Sequence, residues 1–175
     1  MEKTNAEDIF KSFAVLTDYP SDLSVVKEHC RRLEYAGLAE GCFALLPSDT
    51  EALQEEYTRL FDFGRDTAPY AAFHVFSDER RRAAFMAGLM GRYAETGFKR
   101  RTGELPDYIP YVLDFISESG AERCAELTET LSQAAERIAA APMLRKSGYG
   151  LIYGSLKKFA DECLKGGEDE LEHIL

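Results

Sequence analysis

The sequence predicts an all-α protein: a single compact bundle of about six or seven helices. Three observations predict it. Apolar residues recur at three- and four-residue steps along most of the chain, which is the helical period. Capping residues and prolines punctuate the text where helices of ordinary length start and stop. No segment alternates apolar and polar residues long enough for a strand, and no glycine-rich turn links a strand to a helix.

The elements follow in order. Residues 5–17 place Ile9, Phe10, Phe13 and Leu16 on one helical face, and Asp18-Tyr19-Pro20-Ser21 ends the segment because the residue before proline disfavours the helical region. Leu23, Val26, Cys30 and Leu33 form the next stripe, weakened near Gly37 and Gly41. After Leu45-Leu46-Pro47, Ser48 or Asp49 caps a helix carrying Leu53, Tyr57, Leu60 and Phe61, and Ser48 with Glu51 matches a capping box. Residues 62–77 break the helical pattern with Gly64, Pro69, aromatic rings and His74, so they read as a loop or broken turn. Ser77-Asp78-Glu79 opens a helix to about Gly97, with Phe85, Leu89 and Tyr93 on one side and Met86 and Met90 beside them. Asp107 is the expected cap of a helix with Ile109, Val112, Leu113 and Ile116 inward and Pro110 in its first turn, where a missing amide costs little. Residues 121–139 make a further helix through Leu127, Leu131, Ala134 and Ile138, broken at Pro142. The last helix, about 147–165, presents Leu151, Ile152, Leu156, Phe159 and Leu164. One helical domain is therefore expected over residues 1–165, followed by an acidic tail over 166–175.

Composition bounds the function. The 175 residues are 45% hydrophobic and 30% charged, a globular balance sufficient for one core without disulfide or metal. The formal net charge is -10, which argues against a nucleic-acid binder and favours a partner that carries positive charge. Cys30, Cys42, Cys124 and Cys163 form no C-x-x-C spacing and read as reduced, partly buried small hydrophobes. Met1–Asp8 shows no apolar run after a basic start, and no stretch has the ~18 consecutive apolar residues of a membrane span. A cytoplasmic protein without direct membrane insertion is expected.

No catalytic or metal motif emerges. His29, His74 and His173 form no H-E-x-x-H pattern, and Gly64-Arg65-Asp66-Thr67 lacks the Gly-Lys-Ser/Thr of a phosphate loop. Asp62, Asp66, Asp78 and Glu79 cluster in sequence, but capping and solvation account for them. An enzyme using Asp62, Asp66 and His74 predicts those side chains converging in a cleft; a plain helical scaffold predicts no aromatic groove. Aromatic rings around a groove can instead bury one face of an amphipathic helix, with nearby acids pairing its Arg or Lys residues. In the plainer alternative, Phe61, Phe63, Tyr70, Phe73 and Phe76 simply close the core, at least half of them doing so.

Two blocks carry a family resemblance. Glu56-Tyr57-Thr58-Arg59-Leu60-Phe61-Asp62, followed by Gly64-Arg65, Thr67 and His74-Val75, resembles the signature of the nitrate reductase molybdenum cofactor assembly chaperones, the NarJ group within the wider TorD/DmsD redox enzyme maturation proteins. Gly103-Glu104-Leu105-Pro106-Asp107-Tyr108-Ile109-Pro110 is similar to that family's second block, with Tyr108 where histidine is usual. The resemblance implies a TorD/NarJ-like helical fold and a non-catalytic, cytoplasmic chaperone. Its partner would be the apo catalytic subunit of a respiratory nitrate reductase, bound by its N-terminal segment until the molybdenum cofactor is inserted. The departures leave room for another client, such as a dimethyl sulfoxide-type reductase. No cofactor would be bound stably here; the client carries molybdopterin and iron–sulfur clusters. By position, Tyr57, Phe61, Arg65, His74, Glu104, Asp107 and Tyr108 are the expected peptide-binding residues, with Arg65 and Asp107 alternatively pairing to brace the two loops.

Overall fold

The computed structural model describes residues 5–100 and 103–172, with side chains to residue 166. Arg101, His173 and the end of the acidic tail lie outside the described residues. Among the described residues eight α-helices follow one another: α1 (Ala6–Thr17), α2 (Leu23–Tyr35), α3 (Thr50–Phe61), α4 (Ala71–Val75), α5 (Glu79–Thr96), α6 (Ile109–Ser119), α7 (Ala125–Ala139) and α8 (Gly148–Glu172). Short 3-10 turns occupy Phe43–Leu45, Arg65–Thr67 and Pro142–Leu144. The all-α expectation holds, with more helices than expected, because the irregular stretch after Phe61 winds into α4. The final helix also runs past Gly166, where the sequence reading begins a tail.

Local chemistry sets most starts. Asn5 caps α1 by accepting the Asp8 amide at 2.8 Å, and Asp22 caps α2 through the Ser24 amide at 2.7 Å. Asp49, rather than Ser48, caps α3 through the Ala52 amide at 2.9 Å. Asp78 accepts from the Arg80 and Arg81 amides to open α5. Each such cap contributes about 1 kcal/mol. At the other end of α5, Gly97 takes φ 73°, the left-handed closure that a side chain would resist.

The core forms where α1 packs on α6 and α7 packs on α8. α6 is apolar nearly all round, and Ile109, Val112, Leu113 and Ile116 are fully buried, as befits a central helix. Phe10 and Phe13 of α1 meet Phe159 of α8 at ring separations of 5.0 and 6.1 Å. Fully burying side chains of this size contributes about 1.5–3 kcal/mol each. Cys30, Cys42 and Cys124 are buried free thiols and Cys163 is half-buried. Leu151 departs from expectation: it is exposed, whereas Ile152 and Tyr153 turn inward.

Candidate functional site: the junction of two loop blocks

The first block starts on α3, whose inner face carries Tyr57 and Phe61, both buried. Beyond Asp62 the chain tightens into the turn Arg65–Thr67. Thr67 is fully buried; its hydroxyl donates to the carbonyls of Leu60 and Gly64. A side chain at position 64 would set its Cβ 2.9 Å from the Leu60 carbonyl oxygen and into the Thr67 hydroxyl, so only glycine fits. The chain then passes Pro69 and enters α4.

The second block closes on the first. Tyr70 and Tyr108 form an isolated antiparallel bridge. The Ala71 amide donates to the Asp107 carbonyl at 3.0 Å, and the Ile109 amide donates to the Pro69 carbonyl at 2.9 Å. The sequence reading expects Asp107 to cap its own helix, but it does not: Tyr108 holds the N-cap position of α6 and makes no side-chain capping bond. Its carboxylate accepts the Ala72 amide at 3.0 Å and so caps α4 across the junction. The other Asp107 oxygen, Oδ1, is buried with no hydrogen-bond partner. From α5, Tyr93 donates its hydroxyl to the Pro106 carbonyl at 2.9 Å. His74 sets Nε2 2.7 Å from the Ala68 carbonyl, and the Arg137 guanidinium of α7 donates to the His74 carbonyl. Each tie gives a hydrogen-bond partner to a backbone group of the irregular chain.

A tyrosine cluster lies beneath. The Tyr57 hydroxyl donates to the Thr17 carbonyl at 3.2 Å and lies 3.3 Å from the Tyr108 hydroxyl, which donates to Asp18 at 2.9 Å. The Tyr57 ring meets Tyr19, Phe61 and Tyr149 edge-on or tilted, with centroids 4.7–5.8 Å apart. Tyr70 and Tyr108 have centroids 5.7 Å apart, and each donates to a carboxylate: Tyr70 to Glu104, Tyr108 to Asp18.

Electrostatics follow from burial. Removal from water raises the Asp107 carboxyl above its usual range and raises the Tyr57 and Tyr108 phenols. Burial lowers the His74 imidazole, and the nearby Arg137 cation lowers it further.

Of the seven expected contact residues, Tyr57, Phe61, His74, Asp107 and Tyr108 are buried, Glu104 is half-buried and Arg65 is exposed. The two blocks meet, but mostly as framework. Arg65 and Asp107 do not brace each other: Arg65 lies over the Phe73 ring at 5.7 Å, while Asp107 engages the Ala72 amide. Of the five aromatics read as closing the core, Phe61 does so, Phe63 is 86% exposed, and Tyr70, Phe73 and Phe76 are half-buried. Leu105 is 56% exposed. The Asp62, Asp66 and His74 cleft is not assembled, since both aspartates are exposed while His74 is buried against a carbonyl. The sequence reading did not single out Asp18, Tyr19, Tyr149 or Tyr153 as site residues. Asp18-Tyr19-Pro20 carries a helix-stop signal that hides its second role. Among the described residues no group of three or more His, Cys, Asp or Glu side chains is placed to hold a metal ion, and no helix is long and apolar enough to cross a membrane.

This arrangement is a helical bundle whose two loop blocks are braced against each other. The same fold occurs in a crystal structure from Archaeoglobus fulgidus described as a candidate redox enzyme maturation protein, with a TM-score of 0.68 at 22% identity, covering 92% of this chain and 96% of that one. The chain belongs to the family described as "Nitrate reductase delta subunit", whose sequence model matches residues 30–144 and so spans both blocks. Among its relatives is the nitrate reductase molybdenum cofactor assembly chaperone NarJ of Escherichia coli K12, 27% identical over 63% of this chain and 47% of that protein. Another is a Bacillus subtilis protein named a probable chaperone of the same kind, 34% identical over 45% of this chain and 43% of that protein. The aligned region thus spans about half the length of these relatives.

Proposed function

We propose that this protein is a cytoplasmic, non-catalytic chaperone that binds the N-terminal segment of the catalytic subunit of a respiratory nitrate reductase. It holds that subunit competent for insertion of the molybdenum cofactor. The observation that carries the reading is the interlocking of residues 57–75 with 103–111 in a member of the delta subunit family. The relatives named as cofactor assembly chaperones support the nitrate branch. Tyr57, Phe61, His74, Asp107 and Tyr108 hold the junction in shape; Arg65 and Glu104, with exposed Phe63 and Leu105, offer it to the peptide. The chaperone binds no cofactor stably, and the molybdopterin and iron–sulfur clusters belong to the client. Release follows from differential binding: the unfinished client presents its segment, and closure around the cofactor withdraws it.

A second reading keeps the mechanism and changes the client to another molybdopterin oxidoreductase, such as a dimethyl sulfoxide-type reductase. The tyrosine at position 108, where the nitrate-type block usually has histidine, favours it. Calorimetric titration with synthetic N-terminal peptides of the organism's molybdopterin oxidoreductases tests both. Saturable binding to a nitrate reductase peptide supports the first reading, and binding to another reductase's peptide supports the second. Absence of binding by the folded protein to every peptide sinks peptide capture.

A further inference from the structure

Helix α5 carries two glycines that its own fold does not use. A Cβ at Gly88 or Gly91 would meet nothing within 4 Å, whereas a Cβ at Gly64 or Gly150 would strike backbone. Both positions are exposed, inside a helix that glycine weakens. What a missing side chain gains is the close approach of another backbone, and none in this chain comes near.

The two glycines belong to one exposed face. Arg80, Ala84, Ala87, Gly88, Gly91 and Glu95 recur at three- and four-residue steps, and all six are exposed. The opposite face turns Leu89 and Tyr93 into the core. A cleft of about 350 Å³, lined by Phe85 and Leu89, runs beside Ala84 and Gly88 toward α7. The face is therefore a low ridge beside apolar ground, onto which a second helix can lie at short interaxial distance.

Small residues alone do not choose the occupant; the charges at the two ends of the face do. Arg80 and Glu95 form no ion pair among the described residues. About a centre between Ala87 and Gly88, an antiparallel copy of α5 sets Arg80 opposite Glu95, Ala84 opposite Gly91 and Ala87 opposite Gly88. A two-fold axis there repeats the Arg80–Glu95 match at the far end, as an isologous contact requires. Arg81, also exposed, flanks the same glutamate. A parallel copy would set arginine on arginine. α5 holds four arginines and two glutamates in a chain of net charge -10, so a second copy meets less repulsion here than on the acidic remainder.

We propose that two copies of this chain associate through the outer faces of α5, antiparallel and about a two-fold axis between Ala87 and Gly88. None of the seven residues expected to contact peptide lies on α5, so the contact stands apart from the chaperone reading. A contact made by one helix pair is small, so association is expected at about 10 μM and above.

Sedimentation of the full chain from about 1 μM to about 500 μM is the test, and wild type should pass from monomer to dimer across that range. Gly88→Gln with Gly91→Gln should weaken dimerisation about tenfold or more. The same variant should raise the urea midpoint of the monomer, because glutamine is the better helix former; damage to the fold would lower it. Arg80→Glu alone and Glu95→Arg alone should each weaken dimerisation about three- to tenfold, and the two together should return it to within about twofold of wild type. Under mild oxidation by glutathione disulfide, Ala87→Cys should cross-link into a dimer above the wild-type level. Glu95→Cys should not, since its two copies lie about 22 Å apart along the helices. Wild type that stays monomeric to about 500 μM overturns the proposal. A dimer that the glycine pair and the charge reversals leave unchanged places the contact on another face and also overturns it.

Discussion

The junction of the two blocks and helix α5 are opposites. The junction has irregular backbone, yet Thr67, Ala71, Ala72, Asp107 and Tyr108 within it are buried. α5 is an uninterrupted helix of 18 residues, yet only Leu89 and Tyr93 along it are buried and Met90 is 51% exposed. Clefts of about 350 and 400 Å³ flank it, one toward α7 and one toward the end of α6. A helix satisfies its own backbone and asks little of its neighbours. An irregular segment must find each partner in tertiary structure, so its residues are specified one by one. Regular backbone and firm anchoring are therefore separate properties here, and the two distinctive sequence blocks fall on the irregular side.

The largest break in this comparison is expected from Gly64→Ala. The added methyl meets the Thr67 hydroxyl and the Leu60 carbonyl oxygen, and backbone cannot yield as a flexible side chain would. The expected loss is about 3 kcal/mol of unfolding free energy by urea titration, the scale of overpacking. A loss below about 1 kcal/mol would show that the junction relaxes freely, against its depiction as braced.

Asp107→Ala comes next. It strands the buried Ala72 amide and should cost about 1–3 kcal/mol, whereas Asp107→Asn keeps an acceptor and should cost less. The pH dependence separates charge from cap. Burial raises the Asp107 pKa, so the folded state binds this proton more readily than the unfolded chain. Stability from this group therefore rises as pH falls through the raised pKa toward the ordinary carboxylate value of 3.8. His74 has the opposite sign: its folded pKa is lowered from 6.5, so its share of stability is lost as pH falls below 6.5. Removing the Asp107 carboxyl leaves the His74 loss unopposed. Urea midpoints from pH 7.5 down to 3.8 should fall more steeply for Asp107→Asn than for wild type; parallel profiles over that whole range would mean that the Asp107 carboxyl is not destabilised by burial.

These effects mark how far the sequence could be read. The inner faces of α1, α2, α6 and α7 were legible because their apolar residues recur at the helical period and caps flank them. Asp107 was legible as a cap, but its helix was not, since the amide it serves lies 35 residues away. The blocks located Tyr57, His74 and Tyr108 together, while periodicity says nothing about which way a ring points from an irregular loop. Tyr149 and Tyr153 escaped notice because their neighbours, Tyr57 and Phe61, come from a distant helix. The same limit hid Asp18, whose partner Tyr108 is 90 residues away.

Gly88→Ala makes the comparison within one substitution type. A Cβ at position 88 meets nothing within 4 Å, and the site lies inside α5. The change should stabilise the protein by about 0.5–1 kcal/mol through helix propensity and a less flexible unfolded chain. The sign is opposite to that of Gly64→Ala because one glycine fills a tight approach and the other faces open space. A destabilised Gly88→Ala would mean that α5 packs more closely than its clefts imply.

The smallest effect is expected at the Arg92–Glu126 ion pair, which joins α5 to α7 at 2.8 Å with side chains 41% and 75% exposed. Solvent screens such a pair, so Arg92→Ala should change global stability by less than about 0.5 kcal/mol. Its effect should appear in local opening instead. The amides of α5 should exchange with solvent at lower free energy than those of α6, because α5 can leave the bundle by exposing Leu89 and Tyr93 while α6 cannot leave without dismantling the core. Arg92→Ala should speed exchange in α5 and leave α6 unchanged. Equal protection in α5 and α6, unaffected by Arg92→Ala, would make α5 part of the cooperative core and remove the contrast with the junction.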